Sequence, residues 1–269
     1  MEAAYRKALK DLLEELHDEV KVELEQASKF AVAMDSKDEV LPADVIGRMM
    51  KRLNRAQRQK FEQVSVEIAR KFATSNKAHA EKAFMASLKK AGFTVTFSMS
   101  KRSEQAYQAV IGENVGLIKS IGEKYLSDVE KQVWQSVRAG HGLGELAKLL
   151  QERYDVSKKR AALIARDQNN KAEATIEQAR RLDLGFTKAI WKHSSAGKHP
   201  RQSHVAANGK EYEIEKGMYI DGEYILPGEK INCRCYSTVV IPDFFWPPSQ
   251  WFFNEQIMDL LLIMVFASI

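Results

Sequence analysis

The feature that most constrains the fold is a helical repeat of apolar residues in the first part of the chain. Near the start, apolar side chains recur every three or four positions, with acids and lysines between them: Tyr5, Leu9, Leu12, Leu13, Leu16, Val20 and Leu24. A second stripe comprises Met49, Leu53, Phe61, Val64, Ile68 and Phe72. Such spacing places apolar residues on one face of a helix. We therefore expect two long helices that pack as an antiparallel pair, with a partner-binding coiled segment as the alternative.

Several segments interrupt the helical pattern. Pro42, in "DSKDEVLPAD", suits the first turn of a helix. The stretch Ala91–Ser100, "AGFTVTFSMS", favours a short strand or an extended linker. Helical spacing then returns, and the glycines of "RAGHGLGEL" predict the end of one helix and the start of another. Ser157 is a candidate N-cap for a further helix that Gly185 closes.

From Phe186 onward the pattern changes to short alternating runs. "FTKAIWKHSS", "NGKEYEI", "MYIDGEYIL" and "CRCYSTVVI" are separated by Asn-Gly, Asp-Gly and Pro-Gly pairs, which are typical of tight turns. The sequence therefore predicts an α+β fold that is predominantly α, with long N-terminal helices, a helical segment and a small C-terminal antiparallel β-sheet. The predicted divisions are an N-terminal helical region (1–100), a compact module (101–242) and an atypical hydrophobic tail (243–269).

The tail differs from the rest of the chain because it is rich in aromatic and aliphatic residues and nearly free of charge. Its longest uncharged run, Leu260–Ile269, is about half the length that a bilayer-spanning helix needs, so no membrane partner is expected. A frame change or a degraded gene end is the first explanation for this composition. A native amphipathic anchor is the second.

Composition limits the function classes. The chain has 269 residues with Lys+Arg 41 against Asp+Glu 36, and its net charge of +5 suits non-specific contact with DNA phosphates or simply a solvated surface. Two cysteines exclude a disulfide framework. The charged first residues lack the apolar core of a signal peptide, so an intracellular, reducing compartment is expected.

The two cysteines, Cys233 and Cys235, are one residue apart and offer several chemistries. If the small sheet folds back, these thiolates could meet the imidazoles of His193, His199 and His204, a ligand set that zinc accepts. On a strand, positions i and i+2 share a face, so both sulfurs could reach one ion. A redox pair is disfavoured because such motifs have two intervening residues. A Cys–His nucleophile remains open, as do ordinary half-buried thiols.

A local basic strip surrounds Trp191. It comprises Lys188, Lys192, Lys198 and Arg201. A tryptophan within such a strip can stack on single-stranded nucleic acid, but more often it is the core residue of a strand whose neighbours point outward.

Taken in order, these motifs resemble the phage Mu F-like minor head proteins, the phage head morphogenesis family, over roughly residues 105–242. The residues that match the motifs of this family are Arg166, Asp167, Trp191, Arg201, His204, Gly209, Pro227, Asn232, Cys233, Arg234 and Cys235. Asp167 stands where the family usually has Thr, and "HSSAGKHPR" lacks the acid that usually follows the tryptophan.

The resemblance implies a non-enzymatic virion component that associates with the portal protein and other head proteins. Such a protein is assembled in the cytoplasm of the bacterial host, lies inside the head, and acts in head morphogenesis and in DNA packaging or delivery. Some relatives carry toxin or nuclease domains beyond the shared region. Nothing in the C-terminal part of this sequence resembles such a domain. The alternative to a virion component is a small nuclease or transferase that uses His204 as general acid or base and Arg201 to stabilise phosphate charge. No cofactor is expected except a candidate Zn²⁺, with Cys233, Cys235 and His204 as ligands.

Overall fold

The computed structural model describes residues 1–33, 43–90, 100–139, 143–195 and 199–240. Four long helices come first: α1 (Glu2–Ala33), α2 (Ala43–Lys90), α3 (Lys101–Ala139) and α4 (Leu143–Asp183). The smaller elements follow: β1 (Lys188–Lys192), α5 (Gln202–Ala206), β2 (Glu211–Glu213), β3 (Met218–Ile220), β4 (Glu223–Ile225) and β5 (Tyr236–Val239). This arrangement confirms the predicted α+β class with a predominance of helix.

The first two helices pack as an antiparallel pair, as predicted. Tyr5, at the start of α1, stacks on Phe72 in the second half of α2, with ring centroids 4.0 Å apart. At the other end of the pair, Glu23 forms an ion pair with Arg52. The α1 stripe is buried along its whole length, so its apolar residues serve the core of this chain.

All four long helices contribute to one hydrophobic core. Ile118, Tyr125 and Val133 of α3 are fully buried in this core. Leu150 and Ala161 of α4 are buried in it as well. The helices of the first hundred residues therefore share a core with the two that follow, and the boundary proposed at residue 100 stays a prediction. Pro42, the run 91–99 and the tail 243–269 lie outside the described residues.

Helix α4 corrects one prediction, because it runs without a break through Ser157. Ser157 is buried in its interior and is not an N-cap. The physical reason is that the apolar face continues on both sides of this residue. Buried positions recur at three- and four-residue steps along this helix: Leu146, Leu150, Tyr154, Ser157, Ala161, Ala165, Gln168 and Ala172. A small hydroxyl within such a stripe is tolerated by a helix whose packing dominates its stability.

Gly185 closes α4, as predicted. Its backbone lies in the left-handed region (φ 78°). Its N–H donates to the Leu182 carbonyl, and the Phe186 N–H donates to the Arg181 carbonyl. These two bonds form a Schellman motif, in which the residue after the helix needs the conformational freedom of glycine.

Beyond this cap lie two small antiparallel sheets. The larger has the strand order β2-β1-β5, and β3 pairs with β4 in a hairpin. The hairpin turn is the predicted Asp-Gly pair, in which Asp221 and Gly222 both have positive φ, as a type I′ turn requires. A second core forms here around Trp191, Ile214 and the two cysteines.

Polar contacts join the helical bundle to the small sheets. The buried guanidinium of Arg180 pairs with Glu81 of α2. Its neighbour Arg181 turns to β5, where it donates to the Ser237 hydroxyl at 2.6 Å and the Ser237 carbonyl at 2.9 Å. Among the described residues, no helix combines the length and hydrophobicity that a membrane span requires.

Candidate functional site

The candidate site is built on the cysteine segment, residues 231–235, which immediately precedes β5. The structure corrects the expectation that both cysteines lie on a strand, because β5 begins only at Tyr236. Asn232 has a left-handed backbone (φ 60°) that turns the chain just before Cys233. The two thiols therefore converge because of a turn, and the two-residue alternation of a strand is not the cause. Both side chains are buried, and both thiols are free.

Helix α4 holds the cysteine segment through three hydrogen bonds. Arg166 donates to the Asn232 side-chain carbonyl at 2.5 Å, and the Asp167 carboxylate accepts the Asn232 backbone N–H at 2.9 Å. Asn170 donates to the Cys233 carbonyl at 2.8 Å. Motif residues that are 65 positions apart in sequence thus form one clamp. Asp167, at the position where the family usually has Thr, accepts one of these hydrogen bonds.

Arg201 also binds the cysteine segment, by a hydrogen bond that does not involve α4. This residue precedes the short helix α5, and its guanidinium donates to the Ile231 carbonyl at 3.0 Å. Three residues later on α5, His204 is buried at 3% exposure and points into the second core. Arg201 is exposed. The two residues proposed for catalysis therefore differ in their access to solvent.

His204 meets both cysteine sulfurs. Its Nδ1 lies 3.4 Å from the Cys233 sulfur and 3.7 Å from the Cys235 sulfur. The three ligand atoms all lie within 4.8 Å of one another, and all three residues are buried. In the described part of the chain, this is the one group of His, Cys, Asp and Glu side chains close enough to share a metal ion. The structure thus brings the three predicted zinc ligands together, and metal binding itself stays a prediction.

The other two histidines of the predicted ligand set, His193 and His199, are placed differently. His193 follows β1, is half-buried, and brings its Nδ1 to 3.6 Å from the Cys235 sulfur. His199 is exposed, and no contact places it beside the cysteines.

The environment of the sulfurs shifts the pKa values of the two thiols in opposite directions. A hydrogen bond from Cys235 lowers the pKa of Cys233 to about 5, and the backbone N–H groups of Cys235 and Gly228 add to this effect. The same sulfur–sulfur pairing, with burial, raises the pKa of Cys235, whereas the Trp191 indole and the Ser194 backbone N–H oppose that rise. Hydrogen bonds thus favour a negative charge on Cys233, whereas burial opposes charge on both sulfurs.

Trp191 and its neighbours form the wall of this site. The indole is fully buried and stands edge-on to the His204 ring, with centroids 5.3 Å apart. The prediction that Trp191 is a core residue of a strand is confirmed, and its burial is incompatible with stacking on a nucleic acid. In the proposed basic strip, Lys188 pairs with Glu211 at 3.6 Å, and Lys198 lies outside the described residues.

The other motif residues have backbone and surface roles. The N–H of Gly209, whose φ is 81°, donates to the Trp191 carbonyl at 2.8 Å. Pro227 and the exposed Arg234 border a cleft of about 450 Å³ between α4 and β5. Glu173 lines the same cleft, and burial raises its pKa.

The sequence motifs do not include Asn170, and they do not distinguish His193 from the other candidate histidine ligands. A signal for Asn170 was present, because it lies four residues after Arg166 and therefore on the same face of a helix. His193 is separated from Cys235 by 42 positions, and no periodic pattern connects residues that a sheet brings together.

Comparisons with known proteins agree with this picture of the module. Residues 127–238 match the family model described as "Phage Mu protein F like protein". An uncharacterised protein of Haemophilus influenzae is 33% identical over 150 residues, which cover 56% of this chain and 30% of that protein. An NAD(+)--arginine ADP-ribosyltransferase of Enterococcus faecalis is 25% identical over 134 residues, or 44% of this chain and 27% of that protein. No solved structure matches the chain.

The chain thus spans less than a third of the length of each of these curated relatives. The family match falls within the predicted module and contains α4 from its start, the clamp and the cysteine segment. The resemblance to phage Mu F-like proteins is thus confirmed over residues 127–238.

Proposed function

We propose that this protein is a minor component of a phage or prophage head, which acts in head morphogenesis in association with the portal protein. The observation that carries the proposal is the family match over residues 127–238, the part that contains the clamp and the cysteine segment. Portal association and a role in DNA packaging or delivery come from the family resemblance.

The use of the motif residues supports a structural role. Arg166, Asp167 and Arg201 direct their polar groups to backbone or amide groups of the cysteine segment. His204 faces two sulfurs from a buried position. Groups used in this way fix the shape of a module, and that shape is what an assembly protein presents to its neighbours.

The long helices provide the surface for assembly in this proposal. Their apolar faces are used in the bundle core, so a partner would contact the polar outer faces. Contact with packaged DNA would then depend on phosphate charge, and its affinity would fall steeply with added salt.

The experiment is to tag the chain in a host that carries the complete phage or prophage, and to analyse purified heads by mass spectrometry. We expect the tagged chain in mature heads at low copy number, and we expect it to retain the portal protein in a pull-down. A chain that is absent from heads and does not retain the portal protein would contradict the proposal.

The similarity to an arginine ADP-ribosyltransferase keeps an enzymatic alternative in view. This alternative uses Arg201 and His204, with the imidazole as general acid or base. Its test is to incubate the purified chain with NAD⁺ and arginine-containing proteins, and separately with nucleic acid. An activity of the wild type that Arg201→Ala abolishes without loss of helicity would support the enzyme. Inactivity in both assays would remove it.

A further inference from the structure

We propose that His193, His204, Cys233 and Cys235 form a closed structural zinc site that locks together the end of β1, helix α5 and the cysteine segment. This inference is independent of the role of the protein in a phage head. It adds a fourth ligand, His193, to the three buried ligands described above.

The first argument is distance. A tetrahedral zinc ion with Zn–S of about 2.3 Å and Zn–N of about 2.0–2.1 Å separates a sulfur from a nitrogen by about 3.5 Å. Three of the four sulfur–nitrogen pairs among these residues lie at 3.4, 3.6 and 3.7 Å, and the fourth pair is Cys233 with His193. All three lie close to the edge length of such a tetrahedron.

The second argument is the number of groups that converge on one atom. The Nδ1 atom of a neutral imidazole has a single lone pair, which accepts one hydrogen bond. Both cysteine sulfurs approach the Nδ1 of His204. With Nδ1 as the acceptor, a thiol–imidazole hydrogen bond explains one of these contacts, whereas an ion shared by all three groups explains both.

The third argument is the polar surroundings of the sulfurs. The backbone N–H groups of Gly228 and Cys235 favour negative charge at the Cys233 sulfur, and the Ser194 N–H favours it at the Cys235 sulfur. Thiolate ligands need such partners because a metal neutralises only part of their charge, and outer-shell donors also orient them. Gly228 is required for this approach, since its φ is 89° and a Cβ would lie 3.2 Å from the Asn170 carbonyl oxygen.

The role of the site follows from its burial. His204, Cys233 and Cys235 are buried. The half-buried ring of His193 lies beside the Cys235 sulfur. To complete the ligand set it would have to turn toward the other two ligands, because it is not part of the group whose ligand atoms all lie within 4.8 Å of one another. Four protein ligands leave no open position for water or substrate, and such closed sites are structural. The ion would add cross-links to a small core whose strands are three to five residues long.

The experiment measures metal in the full-length protein. Protein purified without chelator is analysed for zinc, and chelator-treated protein is titrated with Co²⁺ and then with Zn²⁺. We expect about one zinc per chain, and with Co²⁺ the intense visible absorption of a tetrahedral site with thiolate ligands. Zinc should displace Co²⁺ and thereby abolish this absorption. Bound zinc should also raise the unfolding temperature of the protein.

Two histidine variants distinguish a four-ligand site from a three-ligand site that lacks His193. His193→Asn should lower the affinity for Co²⁺ by more than roughly tenfold, the loss that even an outer-shell partner causes. The exposed His199→Asn is the matched control and should bind as the wild type does. Cys233→Ser and Cys235→Ser each remove one of the two thiolates and should weaken the sulfur-to-cobalt absorption, whereas the double variant should lose it. Circular dichroism checks that each variant remains helical.

Two results would overturn the proposal. A wild-type protein that is free of zinc and takes up neither ion would mean that the cluster is a hydrogen-bond network. Equal metal affinity of His193→Asn and the wild type would mean that the closed four-ligand site does not exist.

Discussion

At the scale of single residues, Asn232 shows how one backbone angle positions a site. Its left-handed conformation aims Cys233 into the core, while its side chain and N–H are held by Arg166 and Asp167. Asparagine tolerates this region better than other residues with a Cβ. The two functions of Asn232, conformation and hydrogen bonding, can be separated by substitution.

Asn232→Ala should lower the free energy of unfolding by about 1–2 kcal/mol, because it removes the bond to Arg166 and because alanine tolerates the left-handed conformation less well than asparagine does. Asn232→Gly loses only the hydrogen bond and should cost less. Chemical denaturation with chelator present measures both changes. Equal losses for the two variants would show that the backbone angle is not a source of the cost.

His17 is a second residue whose environment has a measurable consequence. The ring is buried at 2% exposure and stacks on Tyr154 at 4.3 Å between centroids. Its Nδ1 accepts from the Tyr125 hydroxyl at 2.5 Å, and its Nε2 lies 3.3 Å from the Gln151 side-chain oxygen. Burial and then Lys21 lower the pKa of His17, while the bond to Gln151 and the charges of Asp18 and Asp155 oppose that shift.

A lowered pKa in the folded state means that the unfolded chain binds more protons near pH 6, so the free energy of unfolding falls as the pH drops below the ordinary histidine value of 6.5. We expect stability to decrease between pH 7 and pH 5, with a smaller decrease in His17→Phe, which keeps an aromatic ring for stacking on Tyr154. Denaturant titrations of metal-free protein across this range measure the slope. An unchanged slope in His17→Phe would contradict the assignment.

At the scale of elements, the contact between α2 and α3 depends on a glycine. A Cβ on Gly122 would lie 2.6 Å from the ring of Phe61. Both residues are buried. The close approach of the two helices at this point therefore requires the absence of a side chain.

Gly122→Ala should destabilise the protein by about 1–3 kcal/mol, because the Phe61 ring must move within a packed core. Gly116→Ala is the matched control, since Gly116 is on the same helix and nothing lies within 4 Å of its added Cβ. We expect the control to be more stable by roughly 0.5–1 kcal/mol, the usual gain of alanine over glycine in a helix. Thermal and chemical unfolding of the two variants provide the comparison.

The elements also show how much could be predicted from the sequence. The stripe from Tyr5 to Leu24 and the Asp221–Gly222 turn were predictable because periodicity and turn chemistry are local properties. The continuity of α4 through Ser157 was not, since a lone serine reads equally as a cap or as a small residue on a packed face. The clamp on Asn232 and the contact of His193 with Cys235 depend on how the sheet folds back, and local patterns do not encode that step.

At the scale of the whole molecule, the two hydrophobic cores share one helix. The first two-thirds of α4 lie in the bundle core, and Leu182 near its end packs against the core of the small sheets. The Arg180–Glu81 ion pair and the bonds from Arg181 to Ser237 reinforce this connection. We infer that neither core unfolds without disturbing the other.

Unfolding should therefore be a single cooperative transition. A variant with Trp134→Phe, Trp246→Phe and Trp251→Phe keeps Trp191 as its one tryptophan, so that its fluorescence reports the small core. We expect the denaturation midpoint from this fluorescence to coincide with the midpoint from helical circular dichroism. A Trp191 signal that changes at clearly lower denaturant would show that the small sheets unfold separately.

The adjacent side chains Arg180 and Arg181 have one more consequence, which is mechanical. One points to α2 and the next to β5, so a tensile load on the small sheets would pass through two consecutive residues into both the bundle and the rod of α4. Both guanidinium groups are nearly out of reach of solvent ions, and charges in such positions are screened little by salt. The joint should keep its stiffness when the ionic strength around the protein changes.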